Sequence, residues 1–148
     1  INGRLWIASL KNRLKDHAGS VQVLDELLAF APLNYNALNE RGGAKVKLEE
    51  YEEAIENLTA AILVNSTIPN AFAHRATANI ALGNLDLASL DIMEALKIDP
   101  KFSRALYNQG LVLESQKKIK EACTFWEKAV ENGFEEAKEK LEFYQGES

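Results

Sequence analysis

The chain has one cysteine, Cys123, so no intramolecular disulfide framework can hold it together, and cysteine usage leaves the compartment open. Three prolines and eight glycines are too few for a sheet-rich fold built on many tight turns. Basic residues are in deficit: 17 Lys and Arg against 22 Asp and Glu leave a net charge of −5, which argues against general affinity for nucleic acid or an anionic membrane. No apolar run approaches the roughly 20 residues needed to span a bilayer, so membrane insertion is not expected. Histidine occurs only at His17 and His74, and there is no HExxH, GxSxG, CxxC or Gly-rich phosphate loop; the expectation is no enzyme, no metal and no cofactor. The first residue is Ile1, not Met, and it already lies in a helical pattern, so the chain reads as a piece of a longer one.

What the chain does have favours helix. Ala, Leu, Glu and Lys dominate, and with 47% of residues hydrophobic and 26% charged it can bury a core as one all-α domain. The stretch LKIDPKFSRALYNQG, from Leu96 to Gly110, ends one helical pattern at a proline and begins another at once. The same punctuation recurs at an interval of 34 residues. Ala54, Ala88 and Ala122 share that register, as do Ala61, Ala95 and Ala129, and Gly42, Ala76 and Gly110. Bulky residues recur between them: Leu24, Leu58, Ile92 and Trp126; Leu28, Ile62, Leu96 and Val130; Leu38, Phe72 and Leu106. Small positions let two helices approach closely and large ones fill the space between neighbouring pairs, which is the requirement of a stacked helix-pair array.

In spacing and residue type these segments, above all YEEAIENLTAAI at Tyr51–Ile62, ALKIDP at Ala95–Pro100 and ALYNQG at Ala105–Gly110, resemble the tetratricopeptide repeat (TPR) family. The resemblance implies a single TPR domain over 1–148: an α-solenoid of about nine helices in antiparallel pairs, coiled as a right-handed superhelix. Its clear repeats are 35–68, 69–102 and 103–136, with a degenerate one at 1–34 in which Ser20 and Leu27 replace the two helix B alanines. A C-terminal capping helix at 134–146 follows. Ser66 stands in for an exit proline, and Pro69 moves that break into the first turn of the next helix. Glu49 and Lys117 occupy turns where the family usually has Gly; those turns must avoid the left-handed conformation or accept strain.

The family's groove-facing positions fall on Asn36, Asn39, Glu40 and Gly43, then Asn70, Ala73, His74 and Thr77, then Arg104, Tyr107, Asn108 and Leu111. From them Asn36, Asn39, Asn70, His74, Arg104, Tyr107 and Asn108 are the candidate contacts for a partner peptide or helix, since amides both donate and accept and Tyr offers flat area at small entropic cost. The expected function is a non-catalytic protein-interaction module, and alanine at Tyr107 and Asn108 is expected to abolish partner capture with the helices intact. The alternative is an architectural spacer of a larger chain, or self-association through Trp6 and the N-terminal pair.

A well-known subclass grips the C-terminal carboxylates of chaperones with Lys, Asn and Arg at set positions. Here those positions hold Asn39, Gly43, His74, Arg104 and Asn108, where only Arg104 is a permanent cation, so no carboxylate clamp is expected. RNA reading is disfavoured by Glu40 and Glu114 beside Arg104 and Lys47. Several other features read as structural. The RGG triplet ending at Gly43 is a close-packing site, Cys123 a small packed side chain, and the EEYEE run from Glu49 to Glu53 complements the dipole of helix B. The oligomeric state, the partner's identity and the compartment are not encoded in any of these features.

Overall fold

A computed structural model describes residues 1–146. Those residues form nine helices and no strand: α1 (Asn2–Arg13), α2 (His17–Phe30), α3 (Tyr35–Lys47), α4 (Tyr51–Val64), α5 (Pro69–Ala81), α6 (Leu85–Ile98), α7 (Ser103–Ser115), α8 (Ile119–Glu131) and α9 (Ala137–Gln145). Consecutive helices pair and each pair stacks on the one before, so that α1, α3, α5 and α7 also touch in succession along one side. The chain is an all-α solenoid of stacked antiparallel helix pairs. The capping helix begins at Ala137, three residues later than the Phe134 expected from sequence, because Phe134–Glu136 make the turn out of α8.

Helix boundaries follow local chemistry. Asp16 caps α2 by accepting from the Gly19 amide at 2.9 Å, and Asn34 caps α3 by accepting from the Ala37 amide at 2.9 Å. Pro69 sits in the first turn of α5, as the displaced break requires. Inside each pair, a small residue of the first helix faces a bulky one of the second. Ala8 lies in the core with Leu24, and Ala76 with Ile92. A Cβ added to Gly42 would stand 2.5 Å from Leu58, and one added to Gly110 would stand 2.2 Å from the Trp126 indole. Without a Cβ at these two positions Leu58 and Trp126 sit closer to the opposing backbone than any other residue would allow, so Gly42 of the RGG triplet and Gly110 are packing devices.

Neighbouring pairs are also tied by polar links. Arg41 donates to Asn57 of its own pair at 2.6 Å and to Asp25 of the preceding pair at 2.7 Å. Arg75, one repeat later, grips Asp91 through two bonds of 2.9 and 2.7 Å and reaches Thr59 of the preceding pair at 3.0 Å. Asp91 and Asn57 are buried, so these bonds also satisfy groups that could not otherwise be desolvated. The acidic run opens α4, with Glu52 and Glu53 in its first turn, and Lys45 of α3 pairs with Glu50 and Glu53. Cys123 is half-buried beside the C-terminal core.

The turns within pairs resolve the open question about glycine. Lys15, Glu49, Gly83 and Lys117 are spaced by 34 residues and have φ of 63°, 62°, 79° and 62°. All four are left-handed, so the three side-chain-bearing residues accept the strain, at a cost of about 1–2 kcal/mol each. Glycine at 15, 49 or 117 is therefore expected to raise stability by about 1 kcal/mol, after its greater unfolded-state entropy is subtracted. Urea midpoints of the three single variants check this, with Gly83→Ala as the change of opposite sign.

Candidate protein-binding groove

The side on which α1, α3, α5 and α7 line up encloses a hollow of about 490 Å³. Ser9, Asn12 and Arg13 reach it from α1 and His17 from α2. Glu40, Gly43, Ala44, Val46 and Lys47 come from α3, His74 and Thr77 from α5, and Arg104 from α7. Glu136, in the turn before α9, closes it. The curl of the stack brings the first helix and the last turn to one cavity.

Of the seven candidate contacts, His74 and Arg104 line this hollow. Asn36 is exposed and Asn70 half-exposed, both at the first turns of their helices and outside it. Asn39 is buried, with its carboxamide oxygen 3.1 Å from His74 Nδ1; it supports His74 from behind. Asn108 is only 1% exposed. Its amide donates to the Ala73 carbonyl at 2.9 Å and to Thr77 Oγ1 at 3.1 Å, so it joins α7 to α5 and cannot meet a partner. Tyr107 is half-buried against Phe134, ring centroids 4.9 Å apart, within the C-terminal core. Alanine at Tyr107 and Asn108 therefore attacks the fold. Asn108→Ala alone is expected to cost about 1–3 kcal/mol, from the loss of two hydrogen bonds in a buried site, to the Ala73 carbonyl and to Thr77, which chemical denaturation will read directly.

The electrostatics of the hollow are uneven. Burial first, and then the nearby charges of Arg104 and Lys47, push the His74 imidazole down to about 3, so it is neutral at any physiological pH. Arg104 lies over the Phe134 ring, 5.2 Å from its centroid. Among the described residues, Arg104, Lys47 and Arg13 have no carboxylate within ion-pair distance. Glu40 takes a 3.0 Å bond from the Asn12 amide, and Asn12 in turn contacts His17 at 3.2 Å. Glu114 is engaged by Lys140 at 2.8 Å and Tyr144 at 2.6 Å, so it pins α9 to α7.

Sequence reasoning left out the members supplied by the degenerate repeat, Ser9, Asn12, Arg13 and His17, together with Ala44, Val46 and Glu136, and it placed Lys47 beside the groove without naming it as a contact. A signal for Lys47 existed: it continues the stripe of Asn36, Glu40 and Gly43 by one further step of four.

Stacked helix pairs lining a one-sided hollow define a helical-repeat scaffold. The chain belongs to the tetratricopeptide repeat family, whose repeat profile matches residues 35–67, 69–102 and 104–132. It is 36% identical over 107 residues to the small glutamine-rich tetratricopeptide repeat-containing protein 2 of Mycosarcoma maydis, a match covering 72% of this chain and 29% of that protein. It is 32% identical over 94 residues to the heat-shock protein cognate co-chaperone sgt12 of Aspergillus fumigatus, covering 64% of this chain and 28% of the relative. The chain thus spans less than half the length of these relatives. The second TPR domain of human RPAP3, solved in complex with the HSP70 peptide SGPTIEEVD, superposes with a TM-score of 0.69 at 25% identity, covering 74% of this chain and 91% of that one. MamA superposes with a TM-score of 0.71 at 22% identity, covering 95% and 84%, and attests the fold alone. The chain is a protein-interaction module of this family. Among its described residues no helix is long and apolar enough to cross a membrane.

Proposed function

We propose that the hollow between α1 and α7 holds a segment of a partner protein, with Arg104, Lys47 and Arg13 as its charged contacts and Thr77 and the His74 imidazole as neutral ones. The observation that carries this reading is the convergence, from different helices, of three cations, none of them in an ion pair among the described residues, against two carboxylates, Glu40 and Glu136, on the same hollow. Cations that outnumber the carboxylates beside them, and are held in no ion pair, are stabilised when a complementary group enters. The peptide complex of the RPAP3 domain supports a peptide as the kind of occupant.

The mode of contact proposed differs from the carboxylate clamp. At the clamp positions Asn39 and Asn108 are buried and committed to other bonds, Gly43 has no side chain, and His74 is neutral. Arg104 alone remains, and one cation cannot hold two carboxylates. Nucleic acid fits the same surface poorly, because Glu40 and Glu136 face the hollow and would repel a phosphate backbone.

The test is charge reversal. Lys47→Glu with Arg104→Glu is expected to lower capture of the partner from cell extract by at least about tenfold, as the loss of charge-assisted contacts implies, with helical content unchanged. Undiminished capture by the folded double variant would reject the groove as the binding surface.

A further inference from the structure

We propose that the outward face of α1 is a stacking surface for one further antiparallel helix pair of the same repeat type, seated as a preceding repeat. This surface is separate from the groove and the inference does not rest on the binding reading. It is carried by continuity with interfaces already in the stack. In the 34-residue register, the positions of Ala71 and Ala78 on α5 join the core with Ala54, Leu58 and Ala61 of the preceding pair. Ala105 on α7 does so with Ala95, and Val112 with Ala88 and Ile92. The matching residues of α1 are Gly3 and Leu10, with Ile7 and Leu14 on the same stripe.

Among the described residues α1 packs chiefly on α2 and α3, and this stripe is left partly open. Ala37, Ala71 and Ala105 are 0% exposed, whereas nothing lies within 4 Å of the point where a Cβ on Gly3 would stand. Ala44, Ala78 and Val112 are 1%, 0% and 2% exposed, against 36% for their counterpart Leu10, and on the same stripe Ile7 is 42% exposed and Leu14 71%, where its counterparts Leu48 and Leu82 are each 37%. An apolar hollow of about 460 Å³ beside Ile1, Leu27 and Phe30 continues the open surface. The opposite end differs: α9 closes the stack and turns Glu139 and Glu142 to solvent, as a terminal unit requires.

The character of the face selects its occupant. Its register is that of helix A meeting the second helix of a preceding pair, which offers small residues such as Ala54 and Ala61 around one leucine. A second copy meeting this face symmetrically would set Ile7, Leu10 and Leu14 against their own counterparts, bulky against bulky. Head-to-tail stacking of copies would set this face against α9, whose outer side presents Glu139 and Glu142 beside Phe143 and not the small residues of a second helix of the repeat.

The experiment duplicates residues 69–102 directly ahead of residue 1, which preserves the register, since this segment already receives α7 on its second helix. Hydrogen exchange of the α1 amides is expected to slow by about tenfold or more in the fusion, as it does for helices covered on both sides. Leu10→Asp in the fusion should return exchange to the unfused rate. A second fusion carrying 35–68 guards against poor folding of the first. Unchanged α1 exchange in both fusions would overturn the proposal. So would concentration-dependent dimerisation of the unfused chain that protects α1 and is broken by Leu10→Asp, because the face would then belong to a second copy.

Discussion

Trp126→Ala is expected to remove about 3–5 kcal/mol and to lower the melting temperature by about 10 °C, the largest loss any single truncation in this chain should produce. The indole is 0% exposed, donates from Nε1 to the Tyr107 carbonyl at 3.2 Å, and stacks on Tyr144 with centroids 5.8 Å apart. The facing residue is Gly110, which has no side chain to swing into the vacated volume, so the cavity stays open. Because each pair contacts only its neighbours, the damage should be local: α7, α8 and α9 lose hydrogen-exchange protection while α1 to α4 keep theirs. Trp126→Phe, which retains most of the volume and loses the N–H bond, should fall between the two. Uniform loss of protection along the chain would mean that the stack behaves as one indivisible unit.

Acid is expected to destabilise the protein through His74. The folded imidazole sits near 3 whereas the unfolded one titrates near 6.5, so between those values the unfolded chain binds a proton that the folded one refuses. Stability is complete above pH 6.5 and falls as the pH drops toward 3, by a total on the order of 4 kcal/mol. Arg104 and Lys47 face the ring and make the charged form still less welcome; the ring itself contacts Asn39. Asp16, held below the usual carboxylate range by Lys11 and then by the Gly19 amide, also loses its contribution in acid. That loss is shared by a His74→Gln variant and cancels in the comparison. Urea midpoints at pH 7 and pH 4 should therefore separate less for His74→Gln than for the natural chain. Equal separations would show that His74 protonates without penalty.

The repeat architecture was legible because size complementarity leaves its mark at fixed spacing: Gly42 with Leu58, Ala76 with Ile92 and Gly110 with Trp126 are each a small and a large residue 16 positions apart. Turn geometry was not legible. Lys15, Glu49 and Lys117 adopt the conformation that Gly83 signals, and no side-chain type announces that a chain will tolerate strain there. The groove was legible in part. A helical stripe names every residue on one side of a helix, yet whether that residue meets solvent depends on the neighbouring helix. Asn108 lies on the stripe and is sealed by the Ala73 carbonyl and Thr77. Arg13 and Glu136 lie far apart in sequence, and only the curl of the stack puts them on one hollow.

The account depends on a partner segment lying in that hollow, and site-specific photocrosslinking tests it most directly. A photoreactive residue at Thr77, on the hollow, is expected to form a crosslink to the partner protein, whereas one at Leu90, exposed on α6 and outside it, is not. Crosslinking from position 90 with none from position 77 would contradict the account and place the partner on the outer face of the solenoid.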